Sequence, residues 1–495
     1  MKFAMPKLTA LILCAALAVA FQQTLTAQGK KVLEDAAQAM GGLEALRGIQ
    51  NITREGTVAR HALGQGHVTA ERLLMGQPAP TTLIVDFTVP RHTSVGGRGQ
   101  PTQVADWKRG GYNDAQGLAL RAMEASALEE IKKEWDRDIA KFLVDALSDK
   151  SRIDGTSETQ LDGKPHQVVS VKLIGGVDYK VYVDKATHLV SKLEFVEDRN
   201  PYGDMAKERI FSDYRQVGNV KLPFLTVGTE TISNEKLVTL QQTWSKVAVN
   251  TPLREDLFAI PVELQERARS LAHAENVLLT PTKLAAGVYF GEGLGMNNMW
   301  VEFKDFVLVA EGPNHEAQSM EVIRQIRKTV GNKPVRYLVT THHHSDHTGG
   351  IRTYAGEGAT VLTDANNEAV IREMLTLPHT LKPDLLAKSK RKPQIEAVTD
   401  RKTISDGTRT VELMHVPNPH ASGYLAIYLP KEKIIFESDM FQILQGQKIP
   451  PRVTPETKAF YEAVTKAGWD VDQIAPGHGR LVKWQDLVDV MQKAQ

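Results

Sequence analysis

Four histidines fall within six residues of this chain, at His342, His343, His344 and His347. They follow an apolar run, Val335–Thr340, that is predicted to be a buried strand. The histidines therefore occupy a loop at the end of a strand. Side chains two apart in such a loop share one face, so His342 and His344 are placed to bind one metal ion. This arrangement is the strongest constraint that the sequence places on the fold.

The residues beside these histidines extend the pattern. Asp346 and His347 come next, and they are placed to turn towards a neighbouring metal ion. Imidazole and carboxylate together suit zinc, although iron and manganese accept the same ligands. Gly349 and Gly350 then allow the backbone to pass close to the site. A solvated histidine-rich loop, or one that binds metal adventitiously, is the alternative that this segment alone leaves open.

Three further candidate ligands follow, each beside the end of a predicted strand. His420 lies in a loop between two strands, Asp439 comes just past the next strand, and His478 follows a short apolar stretch. Each alone would be an ordinary loop side chain, but their order and placement together favour a metal site. His415 is a rival to His420, although it lies within a strand and lacks the Ser-Gly that follows His420.

This order of ligands resembles the metallo-β-lactamase superfamily. The match consists of His342-x-His344-x-Asp346-His347, then His420, then Asp439, and finally the turn Pro476-Gly477-His478-Gly479. The resemblance covers residues 284–495 and implies an α/β fold, an αβ/βα sandwich with a binuclear site at one edge.

The resemblance also assigns the ligands to two zinc ions per chain. The first ion would be bound by His342, His344 and His420. The second would be bound by Asp346, His347 and His478, with Asp439 bridging the two ions. Glu311 stands where many members carry Asp, which puts its supporting role in doubt. In having Asp at the bridging position, the chain resembles the broader hydrolase branches of the superfamily, including glyoxalase-II-like, lactonase and phosphodiesterase members.

The resemblance implies a metal-dependent hydrolase. Zinc lowers the pKa of a bound water towards about 7, and the resulting hydroxide would attack a carbonyl or phosphoryl centre. Asp346 is the predicted catalytic residue, because it can orient the nucleophile or handle its proton. The expected substrate is a small-molecule ester, lactone, thioester or amide, a β-lactam among them. Its identity stays open, because fold-level analogy does not choose a reaction.

Two other functions compete with the hydrolase. One is a mononuclear iron enzyme of the persulfide-dioxygenase type, against which the full set of second-metal ligands argues. The other is a non-enzymatic periplasmic protein that binds a metal or an apolar ligand. Structural zinc sites are normally closed, four-coordinate and often rich in cysteine, whereas seven ligands for two metals leave open positions.

The region before residue 273 has a different pattern. Tyr179, Val181 and Val183 alternate with polar residues, as in a half-buried strand. Helices are predicted at Val32–Leu46 and near Ala115–Leu147. We therefore expect a β-rich, helix-decorated domain at residues 28–272 and a linker at 273–283. Its overall pattern loosely resembles periplasmic lipoprotein-carrier-like half-barrels.

The first 27 residues are predicted to be a secretory signal peptide. Lys2 and Lys7 precede an apolar run, Leu8–Phe21, which is shorter than the roughly 20 apolar residues of a membrane span. Cleavage would remove Cys14, the single cysteine, so the mature chain would have no disulfide and no thiolate nucleophile. We expect a periplasmic or secreted protein without stable membrane insertion.

Charge excludes one class of partner. The 60 Lys and Arg residues balance 59 Asp and Glu residues, which leaves no basic excess for binding nucleic acid. The expected partner is a small-molecule substrate, and the sequence leaves the oligomeric state open. His379 is predicted to be a solvated loop residue, with a place in the substrate pocket as the alternative.

Overall fold

The computed structural model describes residues 6–113, 120–271, 279–293, 296–448 and 453–493. They form two compact units. The first comprises Met1–His61, Gly76–Glu197 and Met205–Asn276, and the second comprises Ala62–Met75, Asp198–Asp204 and Val277–Gln495. The second unit thus includes two short segments from the N-terminal half of the sequence, which the predicted continuous domains, 28–272 and 284–495, did not foresee. Residues 1–5 of the predicted signal peptide and 273–278 of the predicted linker lie outside the described residues.

One large sheet forms the first unit. The strands in this half of the chain are β1 (Asn51–Arg60), β2 (Ala62–Leu63), β3 (Leu73–Leu74), β4 (Ala79–Asp86), β5 (Arg91–Gly96), β6 (Pro101–Asp106), β7 (Gly110–Asn113), β8 (Leu120–Ala122), β9 (Arg152–Leu161), β10 (Lys164–Lys172), β11 (Asp178–Asp184), β12 (Val190–Arg199), β13 (Gly203–Val217), β14 (Val220–Ile232) and β15 (Glu235–Val249). All except β2 and β3 form a thirteen-stranded sheet in the order β8-β7-β6-β5-β4-β1-β15-β14-β13-β12-β11-β10-β9. Every neighbouring pair whose register is described is antiparallel.

Helices cover part of this sheet. They are α1 (Pro6–Ala39), α2 (Leu43–Arg47), α3 (Ala125–Asp136), α4 (Ile139–Ala146), a 3-10 helix (Glu255–Phe258) and α5 (Val262–Leu271). In α4, Phe142, Leu143 and Ala146 share one face and are buried in the core with Leu33 of α1 and residues of the sheet. The predicted β-rich, helix-decorated region is confirmed. Among the described residues, no helix combines the length and apolar character that a membrane span needs.

Two helix predictions in this unit need correction. The predicted helix Val32–Leu46 is divided, because Gly41 and Gly42 take positive φ angles of 117° and 96°. A Cβ on Gly41 would lie 2.3 Å from the Asn219 carbonyl oxygen, so no larger residue fits this position. The predicted helix near 115–147 begins only at Ala125, since β8 occupies 120–122 and residues 114–119 lie outside the described part.

Two sheets form the second unit, together with the β2–β3 hairpin. One has seven strands, β16 (Thr280–Ala285), β17 (Val288–Glu292), β18 (Asn298–Glu302), β19 (Val307–Ala310), β20 (Val335–Val339), β21 (Thr360–Asp364) and β22 (Gln394–Val398), paired in that order. The other has six, β23 (Arg401–Ser405), β24 (Thr410–His415), β25 (Leu425–Leu429), β26 (Ile434–Glu437), β27 (Gln473–Pro476) and β28 (Val482–Lys483), also paired in order. The helices are α6 (Glu316–Val330), α7 (Ser345–Thr348), α8 (Ile351–Glu357), a 3-10 helix (Ala365–Asn367), α9 (Glu368–Thr376), α10 (Leu385–Ser389), α11 (Pro455–Ala467) and α12 (Trp484–Lys493).

The two sheets enclose one core and carry helices on their outer faces. In β25, Leu425 and Ile427 point into the core between the sheets, whereas Ala426 and Tyr428 point towards the outer cluster. Both faces of this strand are buried, as its uninterrupted apolar sequence requires. Helices α11 and α12 belong to that outer cluster, and α6, α8 and α9 contact the seven-stranded sheet. This arrangement confirms the predicted αβ/βα sandwich.

The loop after α9 corrects the prediction for His379. Its side chain is buried, with Nδ1 3.2 Å from an Asp198 carboxylate oxygen and Nε2 3.3 Å from the Pro201 carbonyl oxygen. The neighbouring main chain of Asp204 donates to the Pro378 carbonyl oxygen, 2.8 Å away. His379 is therefore covered by the segment Asp198–Asp204, a contact between residues so distant in sequence that no local pattern marks it.

Candidate metal centre

The candidate site gathers at the carboxyl ends of parallel strands. Strands β19 and β20 run parallel in one sheet, and β26 and β27 run parallel in the other. The loops that follow such strands meet at one edge of a sheet, which is where α/β proteins place ligand-binding groups. His342 follows β20, Asp439 follows β26, and His478 follows β27, while His420 lies in the loop between β24 and β25.

One group of four potential ligands is formed by His342, His344, His420 and Asp439, with ligand atoms within 4.8 Å of one another. Asp439 Oδ2 lies 3.0 Å from Nε2 of His420 and 3.4 Å from Nε2 of His342. Nδ1 of His344 lies 3.1 Å from Nε2 of His420. The structure thus brings together all the residues predicted for the first ion, with the predicted bridging residue among them.

A second group consists of Asp346, His347 and His478. Asp346 Oδ2 lies 3.2 Å from Nε2 of His478 and 3.5 Å from Nε2 of His347. Asp439 also reaches this group, since its Oδ2 is 3.1 Å from Nε2 of His347 and its Oδ1 is 3.4 Å from Nε2 of His478. The seven predicted side chains therefore form two adjoining groups that share one carboxylate.

The spacing of these atoms fits zinc. Ligand atoms about 2.0–2.1 Å from a tetrahedral zinc ion are about 3.3 Å apart, close to the separations within both groups. Nε2 of His342 is fully buried and has no hydrogen-bond partner among the described residues, a costly state that a bound cation would relieve. The donor set, imidazole and carboxylate, is also one that zinc accepts. That these residues bind metal stays a prediction.

Glu311 positions histidines of both ligand groups through hydrogen bonds and close contacts. This fully buried carboxylate accepts hydrogen bonds from the hydroxyls of Thr341, at 2.5 Å, and Ser438, at 3.0 Å. Thr341 Oγ1 lies 3.0 Å from Nδ1 of His342, and Glu311 itself lies 3.3 Å from Nδ1 of His347. With each Nδ1 engaged in this way, each Nε2 faces the ligand groups. Glu therefore fills the supporting role that the departure from Asp had placed in doubt.

Two carboxylates of the site, those of Asp439 and Asp346, are ionised. Burial opposes ionisation of Asp439, but the nearby His347, His342 and His420 hold the pKa of its carboxyl well below the usual range. Burial likewise opposes ionisation of Asp346, and His347 and His478 outweigh it, so that its pKa is also lowered. Ionised carboxylates are the form in which these groups bind metal.

The histidines divide into two kinds. Burial lowers the pKa of His342 well below its ordinary value, and burial with the neighbouring His420 and His343 lowers the pKa of His344 to about 3. These rings are neutral, as metal ligation requires. For His347, burial is outweighed by Asp346, Asp439 and Glu311, which raise its pKa well above the ordinary value. A proton and a metal cation thus compete for the same side of that ring.

The structure also separates His420 from its rival. His415 lies in neither group, and its Nδ1 is 2.6 Å from an Asp364 carboxylate oxygen. The remaining histidine of the motif, His343, is likewise in neither group. The geometry therefore supports His420 as the ligand of the first group.

Several contacts with the ligands were not predicted from the sequence. The Asp439 main-chain N–H donates to the hydroxyl of Tyr424, 2.7 Å away, and Tyr424 stacks on His342 with ring centroids 4.8 Å apart. The Gln442 amide donates to Oδ1 of Asp439 at 2.5 Å. Tyr424 follows the loop of His420 and Gln442 follows Asp439, so their closeness in sequence to predicted ligands was the only available signal.

Comparison with known proteins identifies part of the chain. Residues 317–478 match the sequence model of the metallo-β-lactamase superfamily. This match confirms the resemblance predicted for the C-terminal half. No curated protein matches the chain in a sequence search.

Solved structures similar to the chain include three metallo-β-lactamases. The enzyme from Pontibacter korlensis is 19% identical, with 44% of this chain and 98% of that chain covered and a TM-score of 0.33. The enzyme from Hirschia baltica is 19% identical, with 43% and 97% covered and a TM-score of 0.34. The enzyme FIM-1 from Pseudomonas aeruginosa, in its mono-zinc form, is 16% identical, with 44% and 95% covered and a TM-score of 0.32.

Proposed function

Because residues 317–478 belong to the metallo-β-lactamase superfamily, we propose that the chain is an exported zinc-dependent hydrolase. Its substrate would be a small-molecule ester, lactone, thioester or amide, a β-lactam among them. One observation carries the proposal: the Asp439 carboxylate lies 3.0–3.4 Å from Nε2 of four histidines, which come from both ligand groups. A shared carboxylate of this kind suits a pair of metal ions. Export is proposed from Lys2, Lys7 and the apolar run that follows them.

The chemistry divides between the metal pair and the protein. Two zinc ions, when bound by these groups, would supply the Lewis acidity that activates water at neutral pH and polarises the substrate oxygen. Glu311, through Thr341 and Ser438, holds the imidazoles of His342 and His347 with Nε2 towards the centre. These fixed donors are in place before substrate arrives, so little reorganisation is needed during the reaction.

Asp346 is placed to orient the attacking water at this centre. Its carboxyl has a lowered pKa and is ionised, and its Oδ2 faces His347 and His478. An ionised carboxylate in this position can orient the attacking water by hydrogen bonding and accept its proton at an oxygen atom. No cysteine or serine nucleophile is required. The site thus has what hydrolysis needs without a covalent enzyme intermediate.

The completeness of the second group favours the hydrolase over its rivals. A persulfide-dioxygenase-type enzyme needs one iron ion, so Asp346, His347 and His478 would have no second metal ion to bind. A structural zinc site would be closed by four ligands, whereas the two groups together provide seven for two ions. Both rivals make distinct predictions for metal content.

The test combines metal content with hydrolysis by the purified full chain. We expect about two zinc ions per chain, and chelator-sensitive initial rates on at least one of a chromogenic β-lactam, a lactone, a thioester and a carboxylic ester. His420→Ala should lose zinc. His415→Ala, which removes a neighbouring histidine outside both groups, is the matched control and should keep both ions.

Each other outcome has a meaning. One iron ion per chain would support the dioxygenase, and sub-stoichiometric metal would support a binding protein. Two zinc ions with no turnover on any of the four substrates would contradict the proposed hydrolase. Loss of zinc from His415→Ala but not from His420→Ala would contradict the ligand assignment.

A further inference from the structure

The segment Ala62–Met75 comes from the N-terminal half of the sequence but belongs to the second unit. Its ends pair as a short hairpin, in which the Gly64 N–H donates to the Arg72 carbonyl oxygen at 2.7 Å. The guanidinium of Arg72 makes two hydrogen bonds, at 2.8 and 3.2 Å, with the carboxylate of Glu373 in α9. The hairpin is thus fixed at its base. Its tip, Gly64–His67, lies beside the two ligand loops, which are the loop of His342–His347 and the loop of His420.

The main chain of this tip is bonded to both ligand loops. The Ser345 N–H donates to the Gly64 carbonyl oxygen at 3.1 Å, and the Ser422 N–H donates to that of His67 at 2.9 Å. Between them, the Gly66 carbonyl oxygen lies 3.0 Å from Nε2 of His344 and accepts its hydrogen, so Nδ1 of that ligand faces His420. A Cβ on Gly66 would lie 1.8 Å from the Glu71 carbonyl oxygen, so only glycine fits this course.

The side chain of the tip reaches the second ligand group. The amide of Gln65 donates to Oδ1 of Asp346 at 2.9 Å and to the Ser345 hydroxyl oxygen at 3.1 Å. The other oxygen of Asp346, Oδ2, faces His478 at 3.2 Å. Gln65 therefore occupies one carboxylate oxygen and leaves the other to the ligand group.

We propose that Gln65 is a positioning residue for the second metal ion and for hydrolysis, acting through Asp346; this inference rests on the proposed function. The amide fixes the rotation of the Asp346 carboxylate and decides which of its oxygens binds the ion. Partners that orient ligands in this way typically contribute about 10–100-fold to metal affinity or activity. The first ion, whose ligand His344 is held by the main chain of Gly66, does not depend on the Gln65 side chain.

The test uses Gln65→Ala and Gln65→Glu in the full chain. Ala removes the side chain, whereas Glu keeps its size but replaces the amide donor with an acceptor facing Asp346. Gln394→Ala, which removes an exposed amide that donates to the Lys392 carbonyl oxygen at 3.4 Å, is the control. Metal-free protein is titrated with zinc in the presence of a chromophoric chelator, and kcat and KM are measured on the substrate identified for the wild type.

Both Gln65 variants should show a 10–100-fold weaker second zinc constant with the first unchanged. At limiting zinc, kcat should fall by a similar factor while KM stays within about twofold, and excess zinc should restore much of kcat. Circular dichroism and thermal melting check that the variants fold.

Two results would overturn the inference while leaving the hydrolase intact. In one, both variants keep the wild-type zinc constants and kcat. In the other, Gln65→Ala is impaired but Gln65→Glu behaves as the wild type, which would mean that the side chain only fills space. A wild-type chain that binds fewer than two zinc ions would overturn the proposed function itself, and the Gln65 inference with it.

Discussion

His92 is buried in the sheet of the first unit, in β5, and both of its ring nitrogens have partners. The indole of Trp135 donates to its Nδ1 at 2.8 Å, and its Nε2 lies 3.1 Å from the Gln103 amide oxygen. This pairing requires a neutral ring that carries its hydrogen on Nε2. Burial, with a smaller contribution from the charge of Arg60, lowers the pKa of His92 to about 4, against the opposing effect of Gln103. Protonation at Nδ1 would break the bond with Trp135.

The lowered pKa makes the stability of this unit depend on pH. Below pH 6.5 His92 becomes protonated in the unfolded chain. In the folded chain it stays neutral until about pH 4. The contribution of neutral His92 to the free energy of unfolding is therefore fully present above pH 6.5, and it is lost as the pH drops towards 4. At about 1.4 kcal/mol for each pH unit, the loss over this interval is about 3 kcal/mol.

The assay compares the wild type with His92→Asn. The Asn oxygen can accept from Trp135, but the side chain does not titrate. Free energies of unfolding are measured in urea, by tryptophan fluorescence, from about pH 7 to about pH 4. Other titrating groups are common to both proteins, so the difference between the two curves isolates His92. His188→Asn, at an exposed turn with a φ of 56° that Asn tolerates, is the control.

The difference between wild type and His92→Asn should change by about 3 kcal/mol over the range, in favour of the variant at low pH. A His92→Asn difference that is constant to within about 0.5 kcal/mol would refute the buried neutral histidine. An equal change for His188→Asn would refute the assignment of this pH dependence to His92.

Two further outcomes concern the metal centre. Asp346→Asn should lower kcat by about 10²–10⁴-fold in a folded protein, because an amide cannot accept the proton; near-normal initial rates on the identified substrate would reject this role. Glu311→Gln should weaken both zinc constants by about 10–100-fold, since Glu311 holds both His342 and His347. Zinc titration checks it, and wild-type affinity for both ions would show that Glu311 only fills its cavity.

The side chains that gather at the candidate centre could be predicted because each one stands in a short pattern at a strand end. His342, His344, Asp346 and His347 lie in one loop, and the Pro-Gly-His-Gly turn identifies His478. Gly349 and Gly350 were also expected to allow close backbone passage. A Cβ on Gly349 would lie 1.8 Å from the Asn314 carbonyl oxygen, so Gly349 is required by a close approach of the Asn314 main chain.

Contacts between distant parts of the sequence could not be predicted. Gln65 stands between two glycines in a segment without a motif, and its partner Asp346 is 281 residues away. His379 looks like a loop histidine, and only the segment Asp198–Asp204 buries it. The sheet of thirteen strands shows the same limit: alternating residues indicate strands, but pairing such as that of β1 with β15 depends on partners far along the chain.

The hairpin Ala62–Met75 also has a consequence for the order of events during synthesis. Gln65 is made 280 residues before Ser345, and Asp346 is made 132 residues before His478. At about 5–20 residues per second, Gln65 waits about 15–55 s for its first partner. Until then, its amide and the carbonyl groups of Gly64 and Gly66 lack the partners that they have in the folded chain. The candidate centre is therefore completed late, and a chain released before Pro476 would leave this hairpin without the residues that it contacts in the second ligand group.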